Sequence, residues 1–392
     1  MRYRRYLPGL RQRQIFTRVF TGTPGRQRIE KFNAAGTWQD WPAGQMLPPE
    51  TVESTPVYRI RLADNSAARR VVQYSRALVQ FCRRPDTRPD VIQFLPLPPW
   101  SIPALIKLRR LKIPMAYAYN LLSGTPGSLS ARFRQLITWR WQFPLLDCLI
   151  VQSSLMQQIL RDKGCRGRIE IIPNGVDTSR FKPAPDAKAR NAVRHTLGIG
   201  EEAPVIIYVG AVEPRKGSDL LFSAWAKLAR RCEEAHLLVV GPRLDLADPA
   251  LAAFHNKLED LLAISAARER VHFVGKVENV ETYLQTADLF VFPSRREGFP
   301  NVVLEAMAAG LPVITTPFYG LSAELGRPGE HYLLAAYDAA DLCRLMERVL
   351  ANKPLAAELG RAGRGWVMAR MDIEAVLDQY AALYRELVAG IM

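Results

Sequence analysis

Short apolar runs punctuate the chain, separated by longer stretches in which apolar residues return every three or four positions. In the second half the runs are VIIYV at 205–209, HLLVV at 236–240, VHFV at 271–274, LFVF at 289–292 and PVIT at 312–315. Runs this short and this continuously apolar predict strands buried on both faces, as in a parallel sheet. Helical stretches lie between them, so residues 187–371 are expected to form a doubly wound, Rossmann-like domain that binds ligands beyond the carboxyl ends of its strands. The first half, residues 1–186, alternates less clearly. Apolar runs at 15–21, 91–95, 115–119 and 148–152 are interleaved with helical signals at 66–82, 101–112, 130–143 and 153–164. This is again a βαβ pattern. IIPNGVD at 171–177 reads as a strand leaving through an Asn-Gly turn. In the tail, Leu377, Tyr380, Leu383, Tyr384 and Leu387 fall at helical spacing and predict a packing stripe.

Composition narrows the class. A length of 392 residues with 48% apolar content suits two globular domains. No run approaches the ~18 apolar residues of a membrane span. The arginine-rich opening is not followed by the apolar stretch of a signal peptide. Cys82, Cys148, Cys165, Cys232 and Cys343 are scattered and odd in number. That pattern argues for a reducing compartment and against zinc or disulfide frameworks. Charge is uneven: residues 1–186 carry 30 Lys and Arg against 12 Asp and Glu, whereas residues 187–392 carry 23 against 26. The basic half suits anionic lipid headgroups, an acidic glycan or nucleic acid, or is simply a basic surface. SARFRQLITWRWQF at 130–143 mixes arginine with tryptophan, as an interfacial helix or a half-buried helix of a soluble domain does. Lys107, Arg109, Arg110 and Lys112 form a second basic cluster.

The chemistry concentrates at 294–316, SRREGFPNVVLEAMAAGLPVITT. Pro300 suits a helix's first turn, Gly310 a left-handed stop after it, and residues 312–316 a buried strand. Glu297 precedes the helix. Glu305 lies in its early turns and leans toward its start. The free amides and positive dipole end of a helix N-terminus bind anions, while carboxylates accept hydrogen bonds from hydroxyls. Such a site fits a ligand that is part phosphate and part polyol, although a solvated loop charge and a charge favourably placed near a helix start would look the same.

E-G-F-P-N-V-V-L-E-A-M-A-A-G-L-P-V-I resembles the E-x7-E signature of retaining glycosyltransferases with the GT-B fold, glycosyltransferase family 4 in particular. G-A-V-E-P-R-K-G at 210–217 resembles the family's G-x-x-x-P-x-K-G loop, and IIPNGVD its connection into the second domain. The resemblance is firm over 169–335 and weak before it. It implies an α/β fold of two Rossmann-like domains facing a cleft, with the acceptor side in 1–186, the nucleotide-sugar side in 187–371, and a helix over 372–392 crossing back. The implied activity is retaining, metal-independent hexosyl transfer from a UDP- or GDP-sugar, with no cofactor, to a glycan, lipid or small-molecule acceptor. Cell-envelope or polysaccharide biosynthesis, in the cytoplasm or on the inner face of the plasma membrane, is the implied setting. Lys216 would meet the diphosphate. Arg215 would replace an arginine that members often carry where Ala211 stands, or would point to solvent. The amides of Gly298, Phe299, Pro300, Asn301 and Val302 would hold phosphate oxygens, Glu305 the ribose and Glu297 the donor sugar. Gly210 and Gly241 would pass close to the ligand, and Val277 would meet the base through its backbone.

Two departures stand out. Where many members have a histidine near the donor sugar, this chain has Asn120, which serves as a hydrogen-bonding partner or as a plain turn residue. The chain opens on RYRRYLPGLRQR, which resembles the helix that follows the family's first strand and glycine-rich loop. A start upstream of Met1, or loss of part of the site, would each account for this. The departures keep a non-catalytic nucleotide-sugar binder in view. A basic nucleic-acid-binding protein is the weaker alternative, since no recognition motif supports it. No D-x-D, H-E-x-x-H, G-x-x-x-x-G-K-[ST] or G-x-G-x-x-G occurs, so no metal is expected.

Overall fold

A computed structural model describes residues 6–22, 43–52, 54–62, 67–95, 97, 101–119, 138–243, 249–264 and 268–390. The chain divides into two compact units. One comprises Met1–Gln152, Met156–Ile172 and Leu377–Met392; the other comprises Ser153–Leu155 and Pro173–Val376. The second unit thus begins at Pro173, ahead of the boundary expected at 186. Val176 and Phe181 explain this, because both are buried in that unit's core.

The first unit contains α1 (Tyr6–Gln12), β1 (Val19–Gly22), β2 (Glu50–Val52), β3 (Thr55–Ile60), α2 (Ala67–Arg83), β4 (Ile92–Phe94), α3 (Ile102–Arg110), β5 (Met115–Ala118), β6 (Cys148–Val151), α4 (Ser154–Asp162) and β7 (Ile169–Ile171). β1, β3 and β2 form a three-stranded sheet in that order, with β1 parallel and β2 antiparallel to β3. β4 to β7 form a parallel four-stranded sheet in sequence order. Phe94, Leu105, Leu108, Met115, Val151 and Met156 share one core, and Phe20 and Tyr58 from the smaller sheet pack against it. The helix expected at 130–143 is not α-helical where it is described: Thr138–Gln142 is a turn of π-helix and Phe143–Leu145 a 3-10 turn. Residues 120–137, Asn120 among them, lie outside the described residues.

The second unit contains α5 (Ala187–Thr196), β8 (Val205–Val209), α6 (Ser218–Leu228), β9 (His236–Val240), α7 (Pro249–Ile264), β10 (Val271–Gly275), α8 (Val280–Thr286), β11 (Leu289–Phe292), α9 (Asn301–Ala308), β12 (Val313–Thr315), β13 (Leu333–Leu334), α10 (Ala339–Ala351) and α11 (Lys353–Arg370). α12 (Ile373–Ala389) starts here, and from Leu377 onward its residues belong to the first unit. Its expected stripe is buried throughout.

The six strands run parallel in the order β10-β9-β8-β11-β12-β13. The chain order reverses between β8 and β11, which is where a doubly wound sheet opens a crevice at its carboxyl edge. Alternation explains why β8 is apolar throughout. Ile206 and Tyr208 face one core, and Val205, Ile207 and Val209 face the other. At the amino edge of the same strand pair, Arg194 is wholly buried. It donates to the carbonyls of Thr286, Glu201 and Ala203 and pairs with Asp288 at 2.8 Å. Asp288 also accepts the Val205 amide at 2.8 Å, so one cluster ties α5, β8 and the entrance to β11.

Candidate active site

The site is built where β8 and β11 end. After β8 the chain makes a 3-10 turn, Pro214–Lys216, and then Gly217 at φ +70°. A Cβ at Gly217 would lie 1.8 Å from the Pro293 carbonyl oxygen, so only glycine allows the loops after β8 and β11 to touch. The Arg295 amide donates to the Arg215 carbonyl at 2.9 Å, and the Arg295 guanidinium forks onto Asp219 at 2.8 and 2.7 Å. Burial alone would raise Asp219, but the hydrogen bonds and charge of Arg295 outweigh it and hold the carboxyl below its usual range.

Three side chains converge on a single carboxylate oxygen. Lys216 Nζ stands 2.9 Å, Arg215 Nη1 3.1 Å and Ser294 Oγ 2.7 Å from Glu297 Oε1. Lys216 and Glu297 are 16% and 11% exposed, so this is a partly desolvated pair in which charges count for more than on an open surface. The Lys216 ammonium also sits 5.4 Å from the centre of the Phe292 ring. Arg215 is turned back rather than into solvent, since its second guanidinium nitrogen pairs with Glu213 at 2.6 Å. It nevertheless keeps 42% exposure. Beneath the cluster, buried Tyr208 donates to the Ala211 carbonyl at 2.8 Å. Burial, followed by the charges of Glu213 and Glu297, pushes its hydroxyl well above the ordinary tyrosine range, so it remains a neutral prop.

α9 starts beside this cluster. Gly310, at φ +80°, ends it with hydrogen bonds from the Gly310 amide to Met307 and from the Leu311 amide to Ala306, the double closure of a Schellman motif. Pro300 caps the helix instead of occupying its first turn. It has no N–H, so it cannot donate to a phosphate as the five-residue amide cradle required. The Asn301 amide is also engaged, on the Phe299 carbonyl at 3.1 Å. Of the five expected donors, Gly298, Phe299 and Val302 remain candidates. Glu305 lies on α9, half-buried.

Gly210 and Gly241 behave differently from amide donors. Their N–H groups extend the sheet, to the Val240 and Gly275 carbonyls at 2.9 and 2.8 Å. A Cβ at Gly241 would lie 2.1 Å from the Gly210 oxygen. What these glycines provide is a close approach of backbones. Val277 sits in the loop between β10 and α8 and packs against the second core. The structure therefore brings Lys216, Arg215 and Glu297 together, while Glu305 and Val277 stand on other elements.

Three residues escaped the sequence reading. Ser294 could have been caught by its S-x-x-E spacing to Glu297, as in a capping box. Asn174, whose amide donates to the Asn301 side chain, and Arg180, described below, are long-range partners without a local signal.

Residues 189–366 match the family model described as Glycosyl transferases group 1, and residues 4–180 match Glycosyltransferase Family 4. The chain belongs to the group 1, family 4 glycosyltransferases. Among curated proteins, the GDP-mannose-dependent alpha-(1-6)-phosphatidylinositol monomannoside mannosyltransferase of Mycolicibacterium smegmatis is 32% identical, over 52% of this chain and 53% of that protein. The chain spans about half the length of the curated relatives it matches. Among solved structures, the sucrose-phosphate synthase of Thermosynechococcus elongatus aligns at a TM-score of 0.74 and 25% identity, covering 99% of this chain and 92% of that one. Anabaena HepE in complex with UDP-glucose aligns at 0.69 and 20%, covering 85% and 86%. The glycosyltransferase has the GT-B fold, α/β with two Rossmann-like domains.

Proposed function

We propose that this glycosyltransferase moves a hexosyl group from a nucleoside-diphosphate sugar, UDP- or GDP-linked, to an acceptor hydroxyl with retention of configuration and without a metal. The observation that carries this reading is the convergence of Lys216 and Arg215 on Glu297 beside the start of α9. In the departing nucleotide, negative charge grows on the diphosphate. Fixed cations and helix-start amides stabilise that charge without reorganising. Lys216, Arg215 and the amides of Gly298, Phe299 and Val302 would do this, while Glu297, held by Ser294, orients the sugar and Glu305 holds the ribose. The GDP-mannose dependence named for the mycobacterial relative and the UDP-glucose bound by HepE support the donor class.

The acceptor is a glycan, a lipid-linked glycan or a small molecule, and nucleic acid is not a partner. No helix among the described residues is long and apolar enough to cross a membrane. Trp141 is 63% and Ile106 41% exposed, in company with exposed Lys107, Arg109, Arg110 and Arg140. The 3-10 turn Phe143–Leu145 packs against α3, and Arg109 donates to the Pro144 carbonyl at 3.1 Å. Apolar groups ringed by cations favour peripheral contact with an anionic bilayer, consistent with work on the inner face of the plasma membrane.

A panel of UDP- and GDP-sugars in EDTA, followed by NMR of the product's anomeric proton, tests the assignment. Melting is expected to rise with one donor and the product to keep the donor's anomeric configuration. Binding without turnover on any acceptor would leave a non-catalytic nucleotide-sugar binder, and inversion would overturn the retaining mechanism.

A further inference from the structure

The segment that enters the second unit, residues 173–181, does more than connect. It is fixed along its length. The Val176 amide donates to the Met371 carbonyl at 2.8 Å, the Ile373 amide returns to the Val176 carbonyl at 2.9 Å, and the buried Phe181 amide donates to the Asp177 carbonyl at 2.8 Å. Asp177 Oδ1 accepts from the Ser179 hydroxyl at 2.6 Å and from the Ser179 and Arg180 amides at 3.1 and 3.0 Å. This turn aims Arg180 at the loop between β10 and α8. There a single guanidinium nitrogen, Nη2, uses its two hydrogens on the Glu278 carbonyl at 2.6 Å and on Glu281 Oε2 at 2.7 Å. Glu278 follows Val277 directly, and Glu281 sits in the first turn of α8.

We propose that Arg180 is a positioning residue of the nucleotide site, clamping the 276–279 loop that carries Val277. The inference rests on the nucleotide-sugar reading of this site. Arg180 touches no reacting atom in this scheme. The hydrogen bond to Glu281 is the largest influence raising its pKa, against the opposing effect of burial, and the charges of Glu281, Glu305 and Asp177 add to it. A residue placed this way acts on the nucleoside half of the donor. Lys216 acts on the diphosphate half. The two effects are therefore separable by ligand.

The test compares the wild type with Arg180→Gln, Arg180→Lys and Lys216→Ala, titrated with UDP, GDP, uridine and guanosine, with donor KM and kcat measured on the same preparations. Arg180→Gln is expected to weaken the preferred nucleoside diphosphate and its parent nucleoside by the same factor, about tenfold, as for loss of charged hydrogen bonds. Its KM rises while kcat stays close to wild type. Arg180→Lys recovers most of the loss, and Lys216→Ala weakens the diphosphate but not the nucleoside. Unchanged nucleoside binding in Arg180→Gln overturns the proposal. So does a loss that Arg180→Lys shares in full together with a collapsed melting transition, since that marks a purely structural arginine. A wild type that binds neither UDP nor GDP removes the nucleotide-sugar reading itself, and the proposal with it, and is recognised before any variant is compared.

Discussion

β8 and β11 carry an ion cluster at each end, and the two clusters are built on different terms. At the amino edge, Arg194 is 0% exposed, its guanidinium caged by fixed carbonyls and by Asp288. At the carboxyl edge, Lys216 and Arg215 share a loop carboxylate and remain 16% and 42% exposed. The guanidinium of the first arrangement is closed off from any ligand by its burial. The cations of the second are partly open to solvent. A saturated cluster holds strands together, and a partly open one is available for chemistry, even when the residue types are alike.

Removing the saturated cluster should have the largest effect. Arg194→Ala leaves the buried carbonyls of Thr286, Glu201 and Ala203 without their guanidinium donor, while Asp288 keeps Arg190 and the Val205 amide. The substitution is expected to cost about 3 kcal/mol or more, read by urea denaturation, with the activity per folded molecule unchanged. A stable Arg194→Ala protein would erase the distinction between the two edges. Lys216→Ala should do the opposite, slowing transfer roughly a hundredfold, as for a lost charge-stabilising donor, with melting close to wild type. Wild-type turnover in that variant would remove the diphosphate assignment. Glu305→Ala is smaller again, with donor affinity reduced about tenfold for one charged hydrogen-bonding partner and stability retained, as titration calorimetry would show.

A further effect belongs to pH, and again to the amino edge. His236 at the start of β9 meets His272 at 3.0 Å. Burial, then the neighbouring His272, Arg270 and Arg194, push its pKa down from 6.5 to about 4. The unfolded chain therefore takes up a proton that the folded one refuses. Stability is whole above pH 6.5, declines as pH falls toward 4 and levels off below. A pH series of denaturation midpoints should show this slope, flattened in His236→Asn. An equal slope in both proteins would move the titration to another group.

The strands that carry this contrast were legible in the chain, whereas Arg194 and Asp288 were not. β8, β9 and β11 fall on the residues that their apolar runs marked, because burial on both faces leaves no room for polar alternation. β3 was missed for the converse reason: its TPVYRI alternates buried with half-buried positions and contains a proline and an arginine. β13 has only two residues and no pattern to read. In the site, Lys216, Glu297 and Glu305 were singled out by their resemblance to the family's motifs, and the structure brings the first two within 2.9 Å. The orientation of Arg215 was not legible, since it is decided by Glu213 and Glu297 across a turn. Nor was the engaged amide of Asn301, which depends on the local path set by Pro300.

The contact between Gly217 and Pro293 also bears on how the enzyme can be altered. Any side chain at 217 would collide with a carbonyl of the neighbouring loop, and any at 241 would collide with the backbone at 210. If the proposed function holds, these positions cannot contribute to a designed change of donor. A mutant library intended to retune sugar or base preference would waste its members there. It would do better at exposed Lys276 and Glu278, where the loop can accept new side chains without forcing two strands apart.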